Sequence, residues 1–171
     1  PDLFVQFYPE LGQDAAQQVA SLPPMDQLFG QVVGRSPVVL ARAGSGPEGG
    51  TPQVFAADVP IEGELPQSLH SWPNVIASIP ELDDTALGHG LINARPDADG
   101  VIRSIPMLGR VGGQAMPGLA LEMARIRLGA EAIATSGGSV KVAGRLVLGD
   151  PQGRMRMRFG PFPASAIISA E

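Results

Sequence analysis

Glycine and proline punctuate this chain throughout. It has 22 of the first and 17 of the second, 39 of 171 residues. Usage this high breaks helices and strands into short pieces, because glycine loosens the backbone and proline removes a donor. It still falls short of a low-complexity chain. The pattern predicts a folded domain rich in turns, one domain by its length. Apolar residues make up 44% and charged residues 17%. A core is therefore available, and the low charge argues against disorder.

Cysteine is absent, which excludes disulfide scaffolds, cysteine zinc sites and thiol catalysis. No apolar run approaches the ~18–20 residues of a membrane span, and no basic start with an apolar core marks a signal peptide. The chain begins at Pro1-Asp2 without a methionine, so it is expected to be a fragment of a longer protein. The net charge of −5 conceals an asymmetry. Residues 1–100 carry 13 acidic and 3 basic side chains, residues 101–171 carry 4 and 9. Such halves face each other, or place an anionic site on the basic half. Nucleic acid is a poor partner for sparse basic residues, a pI near 5.0 and 5% aromatics.

Residues 14–33 read as helix, interrupted at Pro23-Pro24. Asp26 is expected to cap the second part, with Leu28, Phe29, Val32 and Val33 as its buried stripe. Val38–Ala41 is a uniformly apolar strand, expected to be covered on both faces. Residues 44–52 are a loop, Gln53 to Val59 a candidate edge strand, and 60–73 an excursion tethered by Trp72. Ser78 caps a short helix with Pro80 in its first turn. Gly90–Asn93 and Val101–Ile105 read as strands joined by a hairpin at Asp99-Gly100. Pro117–Gly129 is the clearest helix, with Leu119, Met123 and Ile126 on one face and Gly129 at its C-terminal cap. Val140–Leu148 and Gly153–Phe159 are strands around Asp150-Pro151-Gln152-Gly153, the second with Arg154, Arg156 and Arg158 on one face. The fold class predicted is α/β: a single domain over 1–171 with a mixed sheet, flanking helices and antiparallel hairpins in the C-terminal half.

Several segments together resemble a known family. They are Gly88-His89-Gly90-Leu91-Ile92-Asn93, then Pro96-Asp97-Ala98-Asp99-Gly100-Val101-Ile102-Arg103, then Ile105-Pro106-Met107, then Pro117-Gly118-Leu119-Ala120-Leu121-Glu122. Leu22–Asp26 leading to Pro37–Leu40, and Gly149–Arg154 ending in Phe159-Gly160-Pro161, extend the likeness over most of 22–168. The series is similar to the second type of CHASE domain, the cyclases/histidine kinases associated sensory extracellular domain. The resemblance implies a non-catalytic sensor, periplasmic or extracellular, in a bacterial receptor anchored by membrane helices. It implies a cytoplasmic adenylate or diguanylate cyclase or a kinase as output, an undefined small-molecule or protein signal, and a homodimer. It also implies about two strands and a helix ahead of Pro1-Asp2. If those are missing, Val38–Ala41 borders an exposed edge. A contact between copies would then bury well over ~1,000 Å² near residues 1–10 or 38–41.

The candidate ligand-binding residues are His89, Asn93, Asp97, Asp99 and Arg103; no catalytic residue, metal or cofactor is assigned. Asp97-Ala98-Asp99-Gly100 reads either as the start of a calcium loop or as a turn whose carboxylate pairs with Arg103. Val101 and Ile102, where a calcium loop needs oxygens, favour the turn. His89 is either a titrating switch beside Asn93 or a residue satisfied by carbonyls. An enzyme would need His89 with Asp97 or Asp99 in one cleft, and a third class is a calcium-stabilised interaction module. Gly44-Ser45-Gly46 lacks the nucleophile-elbow context, and the only lysine, Lys141, follows no phosphate loop. Gly109, Gly112 and Gly113 before the helix at Pro117 either leave amides for an anion or form a flexible connection. The Arg154/Arg156/Arg158 face meets an anionic ligand, the acidic first half, or solvent.

Overall fold

The computed structural model describes residues 21–49 and 59–160. They fall into two compact units, one of residues 21–38 with 78–87 and one of 39–49 and 59–77 with 88–160. The expected Asp14 turn, most of the Gln53–Val59 strand and residues 1–10 lie outside the described residues.

The smaller unit holds helix α1 (Met25–Gly34) and the single turn α2 (Pro80–Asp83). Asp26 does not cap α1. The residue before it, Pro24, supplies only its carbonyl, to Gln27 and Leu28, and Asp26 sits in the first turn, where its charge suits the helix dipole. The predicted stripe is also corrected. Gly30 and Val33 are buried, while Phe29 and Val32 are 56% and 59% exposed. The reason is close approach: a Cβ at Gly30 would lie 2.3 Å from the Glu81 carbonyl oxygen. The helix packs through its smallest residue and not through its largest. At α2, Pro80 takes the first helical position as expected, but Ile79 and not Ser78 precedes it, without a side-chain cap.

Among the described residues the larger unit carries twelve strands in four small sheets. β4 (Asn74–Ile76), β1 (Val39–Ser45) and β5 (Gly88–Leu91) form the first, antiparallel on one side and parallel on the other. β1 pairs with β5 through Val39–Arg42 and with β4 through Ala43–Ser45. Val39–Ala41 therefore has a strand neighbour on one side among the described residues, and Val38–Leu40 are half-buried with Ala41 exposed. β2 (Ile61–Gly63), β9 (Ile133–Ser136), β10 (Ser139–Val142) and β11 (Arg145–Val147) form the second. β3 (Ser71–Trp72), β7 (Leu108–Val111) and β8 (Gln114–Pro117) form the third, and β6 (Ser104–Pro106) with β12 (Arg154–Arg156) the fourth. The predicted mixture of parallel and antiparallel pairing is present, with hairpins in the C-terminal half.

Those hairpins arise at other turns than the Asp-Gly pairs. β7–β8 turns on Gly112-Gly113, β9–β10 on Gly137-Gly138 and β10–β11 on Ala143-Gly144. Each two-residue loop has positive φ at both positions, which matches the twist of the flanking strands. Gly112-Gly113 is therefore a hairpin turn and not a strand-to-helix connection. Asp99-Gly100 does reverse the chain, yet β5 and β6 do not pair: β6 pairs with β12. Likewise β11 pairs with β10 and not across 150–153.

Helix α3 (Leu119–Arg127) lies on β5. A Cβ at Gly90 would meet the Leu119 backbone at 2.3 Å, and one at Gly88 would meet Glu122 Oε1 at 2.2 Å. The two glycines flanking His89 are the seat of the helix. The buried face is Leu121 and Glu122, with Met123 exposed, so the expected Leu119/Met123/Ile126 face is rotated. Glu122 is tolerated there at 0% exposure because Arg125 grips both its oxygens, Nε to Oε2 at 2.8 Å and Nη2 to Oε1 at 2.7 Å. Hydrogen bonding to Glu122 raises the Arg125 pKa. Gly129, with φ +64°, ends the helix as expected. Two apolar cores flank this scaffold, one around Leu108, Leu121, Ile133 and Val140, the other around Val75, Leu91, Val111 and Met116. Trp72 packs on the second, its ring where Cβ atoms at Gly44 and Gly109 would otherwise be.

Candidate functional site

Two turns, each fastened by an aspartate–arginine pair four residues apart, meet beside the β6–β12 ribbon. In the first, Gly100 N–H donates to the Asp97 carbonyl at 2.9 Å, and Val101 N–H to Asp99 Oδ1 at 3.1 Å. Arg103 then reaches back. Its Nη1 donates to Asp97 Oδ2 at 3.1 Å and to Asp99 Oδ1 at 2.8 Å, and its Nη2 to Asp99 Oδ2 at 2.7 Å. The guanidinium holds the Asp99 carboxyl below its usual range, helped by the Val101 amide, and the carboxylates raise the Arg103 pKa. In the second turn, Gly153 N–H donates to the Asp150 carbonyl at 2.8 Å. Asp150 Oδ1 accepts from the Gln152 and Arg154 amides, and Oδ2 from Arg154 Nε at 2.8 Å. In both, an arginine four residues on binds the aspartate side chain.

These turns and the ribbon between them line an open cleft of about 390 Å³. Its walls are Asp97, Arg103, Ser104, Leu148, Gly149, Asp150, Arg154 and Arg156. Ser104 stands opposite Arg156 in the strand register. Alternation along the strands sends Ile105 and Met155 to the other side. There they line an apolar hollow of about 100 Å³ with Leu121 and Ala124 of α3.

Of the sequence-derived candidates, Asp97, Asp99 and Arg103 come together here. Asn93 does not: it clamps the Gly44 backbone, accepting from its N–H and donating to its carbonyl, both at 2.7 Å. His89 does not either. It is 5% exposed in the middle of β5, in register with Leu40. Asp97 and Asp99 pair with Arg103 and not with His89, so the hydrolase-like pairing is not formed. The same two carboxylates converge on a guanidinium where a calcium loop would converge on an ion. Among the described residues no three His, Asp or Glu are grouped to hold a metal. The sequence reading did not connect Asp150, Arg154 and Arg156 to the Asp97 turn. The repeated spacing of Asp99 to Arg103 and Asp150 to Arg154 was the available signal.

Two further features concern placement. Among the described residues no helix is long and apolar enough to cross a membrane. His70 stacks edge-on against Trp72, with ring centroids 4.3 Å apart, and contacts Arg95 Nη1 through Nδ1 at 3.4 Å. Compared with profiles of protein families, the chain matches the CHASE2 domain over residues 5–171. No curated protein and no solved structure matches it.

Proposed function

We propose, since the chain belongs to the CHASE2 domain family of sensory extracellular domains, that it is the extracytoplasmic input domain of a bacterial transmembrane receptor. The single observation that carries the reading is the family match over 5–171. The cleft beside β6 and β12 supports it, because a sensor requires a recess with polar groups that a signal can reach. Its output is an adenylate or diguanylate cyclase or a histidine kinase across the membrane, and it works as a homodimer. The signal acts by binding one arrangement of the domain better than another, which shifts the population transmitted to the membrane helices.

The test is the complete gene and its product. The reading frame is expected to encode membrane helices and a cyclase or kinase domain with this one. The purified receptor in vesicles is expected to change nucleotide cyclisation or autophosphorylation when this domain is deleted. A reading frame without membrane helices, or an output indifferent to the deletion, would overturn the proposal. Light scattering on the 171-residue chain tests the dimer separately, a monomer at micromolar concentration counting against it.

A further inference from the structure

We infer that the cleft beside the β6–β12 ribbon is a binding site for a free α-amino acid. Its carboxylate lies on Arg156, Ser104 and the outer N–H groups of Arg154, and its ammonium lies on Asp97. This rests on the sensor reading and names the ligand class of the same site.

The argument starts from which polar groups the protein leaves unused. Arg103 is not available, because both its terminal nitrogens are held by Asp97 and Asp99. Arg154 uses only Nε, on Asp150; its two terminal groups meet no acceptor among the described residues. Arg156 is exposed and has no carboxylate partner among the described residues. Arg154 and Arg156 share a face of β12, and the Ser104 hydroxyl stands directly across from Arg156. Two guanidinium forks and a hydroxyl on one wall suit a planar carboxylate, which accepts parallel N–H bonds. The other wall offers an acceptor. Asp97 gives Oδ2 to Arg103, and its Oδ1 receives no donor among the described residues.

Charge balance then narrows the ligand. Three guanidiniums, of Arg103, Arg154 and Arg156, stand against three carboxylates, of Asp97, Asp99 and Asp150. A phosphate or a dicarboxylate would bring two negative charges to three carboxylates. A simple amine would bring its positive charge to three arginines. A molecule with one charge of each sign adds no net charge to this balance and meets an opposite partner at each end. The cleft volume of about 390 Å³ is in the range of small-molecule sites, ~300–1,000 Å³.

The experiment is calorimetric titration of the 171-residue chain with each proteinogenic L-amino acid, with succinate and with inorganic phosphate. For any amino acid that binds, its carboxamide and its deaminated acid follow. At least one amino acid is expected to bind. Each of its two analogues should bind about 10–100-fold more weakly, the scale of one lost charge-assisted contact. Arg156→Gln should weaken the amino acid by a similar factor without moving the thermal midpoint. Ser104→Ala, which leaves both aspartate turns intact, should weaken it less. No binding by any amino acid would overturn the inference. So would an analogue equal to its parent, tighter binding of succinate or phosphate, or an unchanged affinity in Arg156→Gln. The two readings fail separately. Amino-acid binding without any change of output in the complete receptor would sink the sensor reading alone. A receptor that responds to another stimulus while no amino acid binds would sink this one alone.

Discussion

Replacing Arg125 by methionine tests how the chain keeps a carboxylate in its interior. Glu122 is fully buried, and Arg125 at 13% side-chain exposure binds both of its oxygens. Arg125 Nη1 also donates to the Ala130 carbonyl at 2.6 Å. Methionine preserves most of the stem and removes all of these donors. Breaking one side of a buried ion pair costs ~3–5 kcal/mol, because the remaining charge is left without a partner. The bond to Ala130 adds ~0.5–1.5 kcal/mol. A loss of about 4–6 kcal/mol is a large part of the ~5–15 kcal/mol that holds a domain folded. At an m-value of about 2 kcal/mol/M it lowers the urea midpoint by roughly 2–3 M. Trp72, the only tryptophan and packed on the core around Val75, reports the transition by fluorescence, with far-UV dichroism as the second probe. The double variant Glu122→Leu/Arg125→Met removes both charges and should return to within ~2 kcal/mol of the parent. If Arg125→Met costs under ~1 kcal/mol, or if the double variant is no more stable than the single, the reading of Glu122 as a buried, Arg-dependent charge is wrong.

Three further outcomes are expected. Gly90→Ala and Gly88→Ala should each destabilise in the same urea assay, by ~1–3 kcal/mol or more. The new methyl at 90 meets the Leu119 backbone and the one at 88 meets the buried Glu122 carboxylate that Arg125 holds; a cost under ~0.5 kcal/mol at either position would refute the helix seat. Asn93→Ala removes two 2.7 Å bonds to Gly44 and should cost ~1–3 kcal/mol, with no change expected if the clamp is incidental. Burial, then the Arg95 charge, lowers the His70 pKa. The unfolded chain therefore takes up the proton first. The stability His70 contributes is present above about 6.5 and is lost as pH falls through its lower folded value. A proton NMR titration should find His70 below that reference, and Arg95→Gln should raise it only in part; a value at or above the reference in the native chain contradicts the assignment.

Local chemistry was legible in the sequence, and distant pairing was not. Pro80 at a helix start, Gly129 at a helix end and the turn at Asp97–Gly100 each follow from backbone preferences of a few residues. The partner of β6 does not, since it lies about fifty residues away in β12. A turn signal reports that the chain reverses, not which strand it will pair with. The α3 face was misread for a related reason. Glutamate reads as a surface residue, and only the proximity of Gly88 and the grip of Arg125 make position 122 an interior one. The arginine alternation at 154, 156 and 158 was visible. What joined it to the Asp97 turn was the fourth sheet, a contact that no local pattern encodes.

Because β6 and β12 form a two-stranded sheet, no third strand braces them among the described residues. They act as a partition one peptide layer thick between a wet compartment and a dry one. Ser104, Arg154 and Arg156 border the wet side; Ile105 and Met155 border the dry side. Any tilt that draws the arginines inward carries Met155 outward from the hollow beside Ala124, since both ride on three consecutive residues. Volume closed in one compartment is then opened in the other. A ligand that closes the polar recess is therefore expected to repack the apolar side chains beneath α3. Hydrostatic pressure, which acts against dry voids, is expected to push the partition the opposite way from a ligand that closes the cleft.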